Sequence, residues 1–344
     1  MASHNGTPAL NPSQRLASLW GARWRTTVPV DPYQLASQFA DVVPVPLAGT
    51  WDGLLIRPPA RRPTILVREM HEYRARFTVA HELGHLLIPW QCDAISFCHS
   101  AITHRFENYT VGQIEADANN FAAELLVPLS WVQQRVASAT ALSAAWLVEL
   151  ARDARVSVIV AMLSAVRACG PNHLFVLTQD DAVTYIGRPQ PSHIQRIAIP
   201  EPGDRFDPSA TAGEVAIHTV AAYGSGRAAH AFAFPSAVPL GVSEDSDCNG
   251  ILDRMLDDLG VLDARARLSA KGVVNGIVGA VHNDMASAGN AERALAILVQ
   301  RFAGPRQLAV CGHQEFRRYL ECRARASVMQ PGEKKRRRRV RGAS

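Results

Sequence analysis

Apolar positions change their spacing twice along the chain. Short apolar runs bounded by prolines come first, Gly53-Leu54-Leu55-Ile56-Arg57 and Thr64-Ile65-Leu66-Val67, and they predict two strands. Ahead of them, residues 28–45, with Pro29, Asp31 and the Leu35/Phe39/Val42 spacing, read as a short capped helix. Residues 1–27, rich in Ser, Asn, Gly and Pro around two tryptophans, read as a partly ordered lead-in. From about residue 73 the apolar period lengthens to that of a helix, over residues 73–88, 111–126, 130–136 and two segments within 143–168.

Cys169-Gly170-Pro171-Asn172 breaks that pattern and marks a domain boundary. Beyond it the spacing becomes strand-like at residues 173–178, 182–186, 194–199, 214–220 and 229–234. It turns helical again at 250–259, 269–301 and 315–324. The expected fold class is therefore α+β. Residues 28–168 form a mainly helical domain with a small sheet, residues 171–326 a mixed β-then-α domain, and residues 327–344 a disordered basic tail.

Composition refines this picture. With 344 residues and 47% hydrophobic content the chain can bury a substantial core. The longest apolar-rich run, residues 156–166, is shorter than the roughly 20 residues a membrane span needs, and the N-terminus lacks the pattern of a secretory leader. A cytoplasmic protein with no membrane partner is expected. Six cysteines scattered through such a chain suggest reduced thiols. The formal charge of +5 comes from the tail, where Lys334 to Arg341 contribute seven positive charges and leave the body near neutral.

The chemistry concentrates in His81-Glu82-Leu83-Gly84-His85. On a helix His81 and His85 lie about 40° apart, so both imidazoles reach one ion. Glu82, about 100° from His81, is placed to act as general base toward a water on that ion. A chain of this composition produces the bare pattern by chance about 2% of the time. The surrounding apolar residues, Phe77, Val79, Ala80, Leu83, Leu86, Leu87 and Ile88, mark the helix as buried on most sides, where two imidazoles and a carboxylate need a compensating partner.

A catalytic zinc usually takes three protein ligands. A metzincin would place a glycine and a third histidine where this chain has Ile88 and Gln91, which excludes that class. The third ligand is sought instead in Glu115-Ala116-Asp117-Ala118-Asn119-Asn120-Phe121-Ala122-Ala123-Glu124-Leu125-Leu126. On a helical wheel Glu115 shares a face with Ala118, Asn119, Ala122 and Leu126, whereas Asp117 and Glu124 point the opposite way. Glu115 is the expected ligand.

The two segments together, Arg76-Phe77-Thr78-Val79-Ala80-His81-Glu82-Leu83-Gly84-His85-Leu86-Leu87 and Glu115-x-x-x-Asn119-x-Phe121-Ala122-Ala123-Glu124-Leu125-Leu126-x-Pro128, resemble the ImmA/IrrE family of zinc metallo-endopeptidases over about residues 28–168. The resemblance implies a zincin-like fold in which His81, His85 and Glu115 bind zinc and Glu82 is the catalytic base. It also implies that the substrate is a helix-turn-helix transcriptional repressor, cleaved to induce stress-response or mobile-element genes. His104 and Tyr109 are candidates for contacting the oxyanion or substrate. The strand at residues 53–57 could align a substrate peptide as an added strand. A GAF-like sensory domain follows the peptidase part in some family members, and the strand-rich opening of residues 171–326 permits one.

Three other features compete for a function. Cys92, Cys98, His99 and His104 depart from zinc-finger spacing and read as an ordinary loop. The segment Leu150 to Ser157 followed by an apolar helix has a helix-turn-helix rhythm with Ser157 as N-cap, yet residues 158–166 offer almost no polar groups to read base edges, so internal packing is expected. The basic tail would attract nucleic acid without sequence preference. The helix-turn-helix rhythm and the basic tail support the alternative of a DNA-binding or protein-interaction regulator with a structural or vestigial zinc site.

Overall fold

The helix-rich and strand-rich stretches sort into two units, Met1–Cys169 and Gly170–Ser344. The computed structural model describes residues 10–46, 51–91, 95–98, 109–189, 201–208, 217–241, 247–302 and 308–329, with only the backbone described at 95–98 and 109–111. The class is mixed α+β: a helical unit with a small sheet, then a sheet followed by helices.

The N-terminal unit begins with α1 (Pro12–Trp24), which corrects the expectation of a partly ordered lead-in over its described part. Asn11 and Gln14 form a capping box with Pro12 in the first turn, a start signal the tryptophan-rich composition obscured. Ser13, Gln14 and Ala17 are buried as α1 packs on α4 (Tyr109–Leu126). Residues 28–45 are not one helix. Asp31 caps a short α2 (Pro32–Ala36), and the β-branched run that follows becomes β1 (Asp41–Val45). Pro44 is tolerated because β1 is an edge strand.

β1 pairs in parallel with β3 (Thr64–Arg68), which pairs antiparallel with β2 (Gly53–Ile56). A strand missing from the sequence reading, β4 (Ile95–Cys98), pairs antiparallel with the other side of β2, giving the order β1-β3-β2-β4. β2 is therefore interior. The expectation that a substrate strand would add to residues 53–57 is overturned, because both edges of β2 are occupied.

Leu55, Ile65 and Val67 are buried in the sheet, and α3 (Glu72–Leu87) packs on β2 and β3. α5 (Leu129–Ser138), α6 (Ala144–Ala154) and α7 (Val158–Ala168) complete the unit. Ser157 caps α7, and Val160, Ala161, Met162, Ser164 and Ala165 are buried, so most of this helix is core. That burial leaves little of α7 to enter a DNA groove.

In the C-terminal unit β5 (His173–Gln179), β6 (Ala182–Gly187), β7 (Ile217–Gly224) and β8 (Arg227–Ala233) form an antiparallel sheet of order β6-β5-β8-β7. The two-residue turn between β5 and β6 puts Asp180 and Asp181 at positive φ, the hairpin conformation that aspartate accepts. The strand expected at residues 194–199 lies outside the described residues. Helices α8 (Cys248–Asp258), α9 (Ala264–Ala280), α10 (His282–Ala286), α11 (Ala291–Phe302) and α12 (Phe316–Met329) follow. The stretch 269–301 thus holds parts of three helices, with a break at Gly289, whose φ of 83° suits glycine. Ile251, Met255, Leu295, Leu298 and Tyr319 are among the residues at the centre of this cluster. The expectation of reduced thiols fails at one pair: Cys248 and Cys322 form a disulfide between α8 and α12.

Candidate metal centre

The site is built where α3 crosses α4. Two features bring these helices close. Gly84 has no side chain, and a Cβ there would come within 3.1 Å of the Phe121 ring, so the interior of the pentapeptide admits the second helix. Arg57, from just past β2, donates to the carbonyl oxygens of His85 and Gln91, the latter at 2.8 Å, which anchors the C-terminal end of α3.

Every residue from Thr78 to His85 of α3 is buried. Nε2 of His81 lies 3.3 Å from one carboxylate oxygen of Glu115, Nε2 of His85 lies 3.4 Å from the other, and the two Nε2 atoms are 3.0 Å apart. These three donors are the group that could hold a metal ion among the described residues. The histidine side chains are almost fully buried, whereas the Glu115 side chain is 27% exposed, so the carboxylate is the solvent-facing member.

The outward nitrogens are held as well. Nδ1 of His81 is 3.0 Å from Oδ1 of Asn119, and Nδ1 of His85 is 2.5 Å from Oε1 of Gln91. An amide oxygen only accepts, so both Nδ1 atoms carry a hydrogen and each Nε2 faces the common centre, where it can donate to Glu115 when protonated or offer a lone pair to an ion when not. Gln91 is fixed in turn by donating from Nε2 to the Ile114 carbonyl at 3.0 Å. Burial pushes the Glu115 carboxyl up, but hydrogen bonds from His81 and His85 outweigh it and hold it at about 2. Burial lowers the His81 pKa, yet its bonds and charge contacts with Glu115, Glu82 and Asn119 raise it overall. With those protons displaced, two Nε2 lone pairs and a carboxylate converge on a position that could hold a cation.

Glu82 is completely buried beside the triad. The two rejected carboxylates have other partners. Asp117 accepts from Trp90 Nε1 at 3.0 Å and lies 3.3 Å from Ser13 Oγ of α1. Glu124 accepts the Leu129 backbone N–H at 3.1 Å and the Arg167 guanidinium at 3.0 Å, supplying an acceptor at the start of α5 where Pro128 has none to offer. His104, Cys92 and His99 lie outside the described residues, as do the side chains of Tyr109 and Cys98. Sequence reasoning missed Gln91 and Gly53, and read Asn119 as a motif position without a role. The placing of Asn119 on the Glu115 face was the available signal for it.

Two buried imidazoles on one helix and a carboxylate from a second define the class: a helical site of the H-E-x-x-H type that could hold a metal ion. Residues 45–162 match the family model Peptidase_M78, described as the IrrE N-terminal-like domain. Over this stretch the chain is similar to that peptidase family, as its paired motifs imply. No curated protein matches the chain. Among solved structures, a Mycobacterium tuberculosis transcriptional regulator is similar at a TM-score of 0.41 and 14% identity, covering 64% of this chain and 75% of that one. A likeness that distant defines neither fold nor function. No described helix is long and apolar enough to cross a membrane.

Proposed function

We propose that the protein is a zinc-dependent endopeptidase with His81, His85 and Glu115 as metal ligands and Glu82 as general base. The observation that carries this reading is the donor triangle. Tetrahedral zinc with bonds of about 2.0–2.1 Å needs donors roughly 3.3–3.4 Å apart; here the two Nε2 atoms are 3.0 Å apart, His81 is 3.3 Å from one Glu115 oxygen and His85 3.4 Å from the other, and with one oxygen taken as ligand all three donors lie within 4.8 Å of one another. Two imidazoles and one carboxylate also leave the fourth position open, as a catalytic site requires.

Bound zinc would supply Lewis acidity, polarising the scissile carbonyl and lowering the pKa of a water at the open position. The protein's own residues do the rest. Asn119 and Gln91 keep both imidazoles in the ligating tautomer. Glu82, shielded from solvent, accepts the proton of the attacking water at its carboxylate and delivers it to the leaving amine. A substrate segment would add in extended form to β4, the outer strand beside β2, rather than to β2 itself.

The finer reading is that the substrate is a helix-turn-helix repressor, cleaved in the cytoplasm. It rests on the family resemblance. The test combines metal analysis of the purified chain with cleavage of such a repressor encoded beside the gene. One zinc per chain is expected, retained by Glu82→Gln together with loss of cleavage. Zinc absent from the purified chain, or cleavage unchanged in Glu82→Gln, would sink the mechanism.

A further inference from the structure

Gly53 opens β2, and its backbone angle is not in the left-handed region that demands glycine. The reason for glycine is space. A Cβ at this position would overlap Oε1 of Glu82, lie 3.1 Å from its Cδ, and meet Cγ2 of Thr78 at 2.7 Å. Thr78 stands one turn before Glu82 on α3 and is itself buried. The strand therefore passes the carboxylate with bare backbone.

Neither side of this contact is free to retreat. Gly53 is paired with Val67 of β3 on one side and Cys98 of β4 on the other. The preceding residue, Asp52, is buried and its carboxylate is 2.6 Å from the Arg74 guanidinium of α3. The Asp52 carbonyl also accepts the Arg68 backbone N–H at 2.9 Å. β2 is thus tied to the very helix whose carboxylate it touches. On the other side, α3 is held by Arg57 at its C-terminal end and by the close approach of Phe121 at Gly84.

We propose that Gly53 and the Thr78 methyl group form a seat that positions the Glu82 carboxylate, with Gly53 acting through the volume it leaves empty. Both are positioning residues, since neither touches the reacting atoms. This inference rests on the reading of Glu82 as general base. It adds that the sheet, and not only the metal helices, sets where that base stands. A residue larger than glycine at position 53 pushes the carboxylate off its place while leaving His81, His85 and Glu115 where they are.

The seat can be tested without a substrate. Thermal unfolding of the metal-free full chain would be followed for Gly53→Ala, Glu82→Ala, Thr78→Ser and their combinations. Gly53→Ala alone should lower the midpoint of the N-terminal unit by roughly 5 °C, as overpacking does. Part of that loss should vanish in the Glu82→Ala background and most of the remainder when Thr78→Ser is added. Equal losses in every background would overturn the proposal. If Gly53→Ala alone does not fold, the double variant with Glu82→Ala still reads the contact, because recovery of folding is then the expected result and its failure the contrary one.

Zinc titration and kinetics supply the second arm. Gly53→Ala should still bind one zinc with affinity within about threefold of the unaltered chain, while kcat on a cleaved repressor falls on the order of 100-fold at nearly constant KM. Unchanged kcat would overturn the proposal. Absence of cleavage by the unaltered chain would instead sink the peptidase reading, and the unfolding cycle would decide the seat alone.

Discussion

Oε1 of Gln91 lies 2.5 Å from Nδ1 of His85, at the sequence position where a metzincin would carry its third metal-binding histidine. The residue that excludes one class of metal site thus supports the site this chain has. Gln91 reaches His85 because α3 ends at Leu87 and the chain turns back, with the Gln91 N–H bonded to the Ile88 carbonyl.

That contact makes Gln91 and Asn119 testable as supports of the ligands. Gln91→Ala and Asn119→Ala should each weaken zinc binding by about 10–100-fold, the usual effect of removing the group that orients a ligating histidine. Competition with a coloured chelator measures it. Gln91→Ala should also remove the side-chain tie from the turn after α3 to the Ile114 carbonyl of α4, whereas Asn119→Ala should not.

Glu115→Gln should abolish tight zinc binding, while Asp117→Asn should leave it within a few-fold of the unaltered chain. The two carboxylates lie on opposite faces of α4, and Asp117 faces Trp90 and Ser13. Equal zinc loss in the two variants would remove Glu115 from the ligand set.

The pH dependence of metal uptake has a definite sign. Glu115 is held at about 2, so it stays ionised through the working range and contributes no competition. His81 is raised above its ordinary value and keeps its proton to higher pH than a free histidine. Zinc must displace that proton, so affinity should rise with pH through and somewhat above the usual histidine range near 6.5 and then level off. Zinc content after dialysis between pH 5 and pH 9 should show this, and a flat profile would contradict it.

Glu124 should behave as a structural residue despite its place in the motif. Burial raises its pKa, against the Leu129 N–H and Arg167 that favour the charged form. Glu124→Ala leaves the α5 start without its acceptor and Arg167 without its carboxylate, so a loss of roughly 2–4 kcal/mol is expected. Zinc affinity should be unaltered. Chemical denaturation and zinc titration of the same variant separate the two effects.

The disulfide gives the C-terminal unit its own signature. Cys248 and Cys322 are separated by 74 residues, and closing a loop of that size stabilises by about 4 kcal/mol in the chain-entropy account. A reductant should lower the unfolding midpoint of this unit, and Cys248→Ser should make the midpoint insensitive to reductant. Zinc binding by the N-terminal unit should not respond to either change.

Much of the site was legible because helical spacing is a local property. His81 and His85 share a face, and Glu115 and Asn119 share another, whatever the helices pack against. The direction of Glu115 away from Asp117 and Glu124 follows from the same geometry. The buried character of α3 was also readable, since apolar residues surround it on all sides.

The remainder depended on contacts between residues distant in sequence. Strand pairing across β4, β2 and β3 decided that β2 is interior, and no periodicity reveals the neighbour of a strand. The partnership of Gln91 with His85 needed the turn after α3, and the need for glycine at position 53 came from a carboxylate on a different element. The capping box of α1 was written in the sequence, but its docking on α4 was not. The sequence by itself determined which side chains could face one metal ion. Only the tertiary structure decided how far apart they stand, what holds their tautomers and what leaves room for Glu82, because those are set by the packing of separate elements.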